Sequence, residues 1–199
     1  MLNLRLATAD DAAAILNVYA PYIDTPISFE TTVPTLAAFQ ERLGKIMRTY
    51  PCLVCEENGQ VVGYAYASAF GERAAYQWTA VLSIYLMPQA QGRGIGKALY
   101  RALIDLLRMQ GIVTLCTIIA LPNPASVRLH EQAGFVHMGH FPAAGYKLGA
   151  WRDELWMTMQ LTKELQPPAP VIPVGQLDSI RVDRLLLLQA RTLQGRLRG

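Results

Sequence analysis

The sequence predicts a single α/β (α+β) domain, a mixed sheet with helices packed on its faces, and three observations predict it. About half of the 199 residues are apolar, enough to bury one substantial core. Stretches of strand-like alternation and of helical spacing succeed one another along the chain. Near the middle, a strand, a glycine-rich loop and a helix follow one another directly.

The first stretch, LNLRLA from Leu2, alternates as a half-buried strand does, and Thr8, Asp10 and Asp11 then offer N-capping to the helical run AAAILNVYAPYI. Thr25 to Pro34, broken by two prolines, reads as a loop, and Leu36 to Tyr50 returns to helical spacing through Leu36, Phe39, Leu43 and Met47. CLVCEENGQVVGYAYASAF predicts two strands joined at Asn58-Gly59, a strong short-range hairpin signal. Tyr76 to Leu86 is β-branched and aromatic enough for a central strand. Pro88 ends it, QGRGIG makes a tight loop, and KALYRALIDLLRMQG is an amphipathic helix closed by Gly111. VTLCTIIAL predicts a buried strand, PNPASVRLHEQAG a capped helix ending on Gly134, and FVHMGHF and DELWMTMQL two last strands.

The organisation expected is a domain over residues 1–163, a proline-rich linker over 164–176 and an amphipathic helix over 177–199. That helix places Val182, Leu186, Leu193 and Leu197 on one face and Arg184, Arg191 and Arg198 on the other. Its apolar face would dock on this domain or on a second subunit, with an anionic membrane surface as the alternative.

Composition excludes several functions. The net charge is only +3, with basic and acidic residues interspersed through the body, so no nucleic-acid partner is expected. Cys52, Cys55 and Cys116 include one CxxC, but no second pair or nearby histidine completes a metal set, and the expectation is no metal. The start, MLNLRLATADD, lacks a charged leader with an apolar core, and no apolar run reaches the ~18 residues of a membrane span. A cytoplasmic protein with free thiols is expected.

The candidate chemistry centres on Gln91, Gly92, Arg93, Gly94, Ile95 and Gly96. A loop between strand and helix lets backbone N–H groups converge on a phosphate where the helix dipole favours negative charge, and Lys97 and Arg93 add cationic character. Glycines permit close approach of the anion and a turn at positive φ. The loop is neither a Walker loop, since no Gly-Lys-Ser/Thr closes it, nor a dinucleotide fingerprint in an early βαβ unit. A turn serving only close packing is the other reading of the loop alone.

QGRGIG, preceded by LSIYLMP and followed by NPASVRLHEQAGF, resembles the Q/R-x-x-G-x-G/A signature of the GNAT acyltransferases, over about Leu4 to Leu161. AYQWT, LPNPASVRLHEQAGF and AAGYKLGAW look like the phosphinothricin and methionine sulfoximine acetyltransferases of that superfamily. The resemblance implies a mostly antiparallel sheet splayed between its fourth and fifth strands, and acetyl-CoA as co-substrate. It implies that the backbone of Ile84, Tyr85 and Leu86 pairs with the pantetheine, that Gly92 to Lys97 hold the pyrophosphate and that Asn123 hydrogen-bonds the pantetheine. By the same resemblance His130 protonates the leaving thiolate or positions the sulfur, and Phe29, Arg73 and Tyr76 form the acceptor pocket, with Arg73 able to clamp a carboxylate. Trp78 and Trp151 would shape the pocket wall or the core.

Where the subfamily carries a glutamate, in a context like WTVES, this chain reads WTAVLS and presents Val81, and Gly71 stands where the subfamily's pocket loop has a basic residue. Valine accepts no proton. Either another group such as Glu30 serves as base, or the substrate differs, or the domain is a non-catalytic acyl-CoA binder or sensor. The function implied is acetyl transfer, by direct attack, to the amino group of a small amino-acid-like substrate, in a homodimer.

Overall fold

The computed structural model describes residues 2–162 and 166–198, the last three by their backbone alone. The strands are β1 (Leu2–Leu6), β2 (Cys52–Glu57), β3 (Gln60–Ala69), β4 (Thr79–Leu86), β5 (Thr114–Ala120), β6 (Val136–Lys147) and β7 (Ala150–Gln160). The helices are α1 (Ala12–Tyr19), α2 (Leu36–Met47), α3 (Ile95–Gln110), α4 (Pro124–Ala133) and α5 (Ser179–Arg198). The strands form one sheet in the order β1-β2-β3-β4-β5-β7-β6. Among the described residues, β4–β5 is the one parallel pair; the others are antiparallel.

Local chemistry sets the element ends. The Asp11 carboxylate accepts the Thr8 N–H at 2.7 Å where the chain enters α1, and Arg5 fixes the same carboxylate at 2.7 Å. Asn58 and Gly59 both take positive φ, 52° and 84°, as a two-residue hairpin turn requires. Leu148 and Gly149 do the same at 52° and 75° and join β6 to β7. That turn makes both last strands longer than FVHMGHF and DELWMTMQL, because Leu-Gly is a weaker turn signal than Asn-Gly. The central strand begins later than Tyr76: Ala74–Tyr76 form a 3₁₀ turn, and β4 starts at Thr79.

Two apolar clusters sandwich the sheet. On one face α1 and α2 bury Ile15, Val18, Phe39 and Leu43 against Val54 and Tyr64. On the other, α3 buries Leu99, Leu103 and Leu107 against Leu53, Ala65, Leu82 and Leu115. Three residues apart on a strand, Cys52 and Cys55 point to opposite faces and enter different clusters, so they cannot share a ligand. Burial pushes both thiols up to about 12.

Val182, Leu186, Ala190 and Leu193 of α5 are buried in the α3 cluster, and α5 lies against α3 and β1 of its own chain. Arg184 and Arg191 are exposed on the other side, while the side chains of Leu197 and Arg198, and the expected boundary at 163/164, lie outside the described residues. The segment leading to α5 is tied down: Ile172 N donates to Gln110 O at 2.9 Å, the Gln110 side chain to Ile172 O at 2.7 Å, and Val174 N to Thr49 O at 3.0 Å. Trp78, expected in the pocket wall or the core, instead gives its indole N–H to Ala169 O at 2.8 Å.

Candidate active site

The parallel pair that should hold the middle of the sheet together runs for only three positions. Thr79, Ala80 and Val81 face Thr114, Leu115 and Cys116, after which β4 and β5 part. The split opens into a cavity of about 500 Å³, within the range of small-molecule sites. Ile84, Tyr85, Leu86, Gln91, Gly92, Gly94, Gly96, Lys97, Asn123 and His130, all singled out from the sequence, line it together.

The register of β4 decides which backbone groups face the split. Thr117 Oγ1 donates to Leu82 O at 3.4 Å and Tyr22 Oη to Leu86 O at 2.5 Å, whereas Met87 N turns the other way, to Val62 O on β3. Successive residues of a strand alternate edges, so Ile84 turns its N–H and C=O to the split while the backbone of Tyr85 turns to β3. Tyr85 therefore contributes its ring, packed among Tyr19, Tyr22 and Tyr64, rather than an amide.

At the end of β4 the loop wraps an anion seat. Gly92 and Gly94 take φ of 70° and 81°, and Gly94 caps α3. The first intrahelical bond runs from Ala98 N to Gly94 O, so the N–H groups of Ile95, Gly96 and Lys97 precede the helix ladder and face its positive end. A Cβ on Gly92 would meet nothing within 4 Å, and one on Gly96 would touch Leu86, Ile84 and Leu129 at 3.4–3.6 Å. Two loop members turn away. Ile95 is fully buried in the core, and Arg93 forms a paired contact with Glu57 at 2.6 and 2.8 Å, so its side chain is committed to the back of the loop.

The cavity also holds a buried polar pair. His130 Nε2 and Tyr100 Oη are 2.6 Å apart, and His130 Nδ1 is 2.7 Å from Ser126 O. A carbonyl only accepts, so Nδ1 carries the proton, Nε2 is the bare nitrogen and the tyrosine hydroxyl donates to it. Burial lowers the His130 pKa, partly opposed by the Ser126 carbonyl, and holds the ring neutral. Burial also raises the Tyr100 hydroxyl, against a neighbouring Thr117 hydroxyl. Asn123 caps α4 by accepting Ser126 N–H at 3.2 Å while lining the cavity.

Tyr22, Tyr100, Thr117 and Arg128 line the cavity without having been singled out from the sequence. Tyr100 could have been found: it lies four residues after Gly96 and three after Lys97, on the same face of α3. Arg128 shares a short helix with His130 but lies two residues before it, so helical spacing does not point to it. Tyr22 closes the 3₁₀ turn that continues α1, and nothing local announces its reach to Leu86.

The expected acceptor residues gather elsewhere; none of Phe29, Glu30, Arg73 or Tyr76 lines this cavity. Ser28 bonds Tyr19 Oη at 2.6 Å, and its carbonyl accepts from the buried ammonium of Lys147. Phe29 packs on Gly145, and Glu30 pairs with Arg42. Across the sheet, Phe70 contacts both Tyr76 and Trp156 edge-on at 5.4 and 6.5 Å, and Arg73 is exposed beside them. By strand alternation Phe70 and Trp156 lie on the α1/α2 face, the face from which the Tyr85 ring lines the cavity. Trp151, expected in the pocket wall or core, is 65% exposed and stacks edge-on with Tyr146 on the last hairpin.

Residues 4–156 match the acetyltransferase (GNAT) domain family. The chain is 39% identical to a phosphinothricin N-acetyltransferase of Streptomyces viridochromogenes, over 88% of this chain and 96% of that one. It is 35% identical to an L-methionine sulfoximine/L-methionine sulfone acetyltransferase of Salmonella typhimurium, over 84% and 99%. The crystal structure of a phosphinothricin acetyltransferase from Sinorhizobium meliloti in complex with acetyl-CoA superposes with a TM-score of 0.82 at 36% identity, covering 88% of this chain and 97% of that one.

Proposed function

The chain belongs to the GNAT acetyltransferase family, and on that premise we propose that it moves the acetyl group of acetyl-CoA to the amino group of a small amino-acid-like substrate of the phosphinothricin or methionine sulfoximine type. The observation that carries this reading is the three-position β4–β5 pair opening onto a glycine-built anion seat, with a neutral His130–Tyr100 pair in the same cavity. The residues fit the co-substrate: the N–H groups at the start of α3 with Lys97 suit its pyrophosphate, and Ile84 and Asn123 suit the amides of its pantetheine arm. Acetyl-CoA supplies the thioester.

The reaction forms a C–N bond, breaks a C–S bond and must move one proton from the amine to the departing sulfur. The His130–Tyr100 pair can carry it. Tyr100 takes the proton from the attacking nitrogen while passing its own to the bare Nε2; the reverse transfer delivers it to the thiolate. Such a relay replaces the carboxylate that Val81 lacks, and it favours an enzyme over a non-catalytic acyl-CoA binder. Glu30, committed to Arg42 away from the cavity, fits a place in the acceptor loop better than the role of base. Phe29, Arg73 and Tyr76 shape the acceptor side, where the exposed Arg73 offers a carboxylate clamp.

Two further assignments belong to the same reading. The chain works as a homodimer: the β6–β7 hairpin exposes Val136, Met138, Phe141, Tyr146, Leu148 and Trp151, each more than half accessible, an apolar surface suited to a second copy. It works in the cytoplasm, where its three free buried cysteines stay reduced; among the described residues no helix is long and apolar enough to cross a membrane.

The test is release of free CoA thiol from acetyl-CoA with methionine sulfoximine, methionine sulfone, phosphinothricin, a polyamine and a basic peptide as separate acceptors. Turnover confined to the amino-acid analogues supports the proposal. Turnover on the peptide or polyamine alone, or on none of the five, refutes it.

A further inference from the structure

We infer that α5 is a brace for the anion-binding loop, and that Leu193 is a positioning residue for acetyl-CoA; this rests on the function proposed above. The path of the chain makes the contact specific. The segment before α5 is fastened to the far end of α3 through the reciprocal Gln110–Ile172 bonds and to Thr49 through Val174. From there α5 climbs beside α3, antiparallel to it. The fourteen steps from Ser179 to Leu193 cover about 21 Å and the fifteen from Ile95 to Gln110 about 22 Å, so the last turns of α5 arrive level with the first turn of α3.

What arrives there is Leu193. It is 2% exposed, and its Cδ1 lies 3.5 Å from the point where a Cβ of Gly94 would stand. Gly94 is the residue at φ 81° that caps α3 and turns the loop toward the cavity. One helical position further, Gln194 Nε2 donates to Leu2 O at 2.5 Å and fastens the same turn to β1. The loop thus meets the cavity on one side and a fixed methyl group on the other. A seat made of backbone N–H groups holds an anion well only when those groups are already aimed, because aligning them on binding has an entropic cost. Leu193 backs the residue whose dihedral angles do the aiming.

Leu186 provides the internal control. It lies on the same face of α5, is 5% exposed and packs into the same core, but sits two turns earlier, about 10 Å down the helix. The experiment is calorimetric titration of acetyl-CoA into the full-length wild type, Leu193→Ala and Leu186→Ala, with steady-state kinetics in parallel. Leu193→Ala is expected to weaken acetyl-CoA binding and raise its KM by about fivefold or more while kcat and the acceptor KM stay within about twofold. Leu186→Ala should lower the melting temperature and leave the acetyl-CoA KM alone. Should either alanine variant fail to fold, the pair Leu193→Val and Leu186→Val poses the same comparison with a smaller cavity. Equal acetyl-CoA affinity in the two variants overturns the brace. A wild type that binds no acetyl-CoA overturns the functional reading beneath it, and the brace with it.

Discussion

The cavity at the β4–β5 split and the loops that carry Phe29 and Arg73 are built from different materials. The cofactor side is built from backbone: glycines at fixed dihedral angles, three N–H groups at a helix start, a strand edge left open and one buried pair, His130 and Tyr100, held by hydrogen bonds at both ends. The proposed acceptor side is built from side chains on loops: Phe29 and Glu30 on one bank, held by Lys147 on the Ser28 carbonyl and by Arg42, and Arg73 and Tyr76 on the other. A backbone site tolerates little substitution because its shape is its chemistry, whereas a site made of loop side chains can exchange them without moving the sheet.

If that contrast is right, the largest effect should come from the buried pair. His130→Ala should lower kcat by ~10²–10⁴-fold, the usual range for proton transfer, with the acetyl-CoA KM nearly unmoved; a loss below tenfold would remove the relay. The pH profile sharpens this point. Because burial lowers the His130 pKa, the ring stays neutral below the ordinary ~6.5, so the acid limb of kcat from this group should fall below that value. Stability follows the same sign: the unfolded chain takes up this proton near its ordinary pKa, and the His130 contribution is lost as pH falls from there through the folded value.

Next in size is the loop. Gly96→Val would press a branched side chain toward Leu86 and Leu129 in the cavity wall and should raise the acetyl-CoA KM by about tenfold or more, roughly 1.4 kcal/mol, while the acceptor KM changes little. Gly145→Ala probes the other side. Its new methyl would stand 2.7 Å from the Phe29 ring, so a strain of ~1–3 kcal/mol and a shift of the acceptor loop are expected, read as a higher acceptor KM at constant acetyl-CoA KM. The smallest effect belongs to Glu30→Gln. It breaks a partly exposed pair with Arg42 worth less than ~1 kcal/mol, and turnover should hardly change; a hundredfold loss would make Glu30 the base after all.

The same contrast explains what could be read from the sequence. The glycine loop, the strand before it and the helix after it are local in the chain, and their chemistry follows from residue type and order, so most of the cofactor wall was legible. The fold was legible for a related reason: the Asn58-Gly59 turn and the Pro88 stop are punctuation that tertiary contacts did not override. The Leu148-Gly149 turn was missed because leucine at positive φ has no local signal. Tyr22 and Lys147 were missed because each acts across more than 60 residues of chain, on Leu86 and on Ser28. Arg93 looked cationic and available, and only the hairpin that brings Glu57 beside it shows otherwise.

Acetyl transfer without a carboxylate at position 81 is tested by kcat/KM for methionine sulfoximine in the wild type beside Val81→Glu. The expected result is measurable turnover by the wild type and a gain of no more than about tenfold on placing the carboxylate, since the proposed His130–Tyr100 relay would already move the proton. An inactive wild type that Val81→Glu brings to life would exclude the His130–Tyr100 relay and place the missing base on β4.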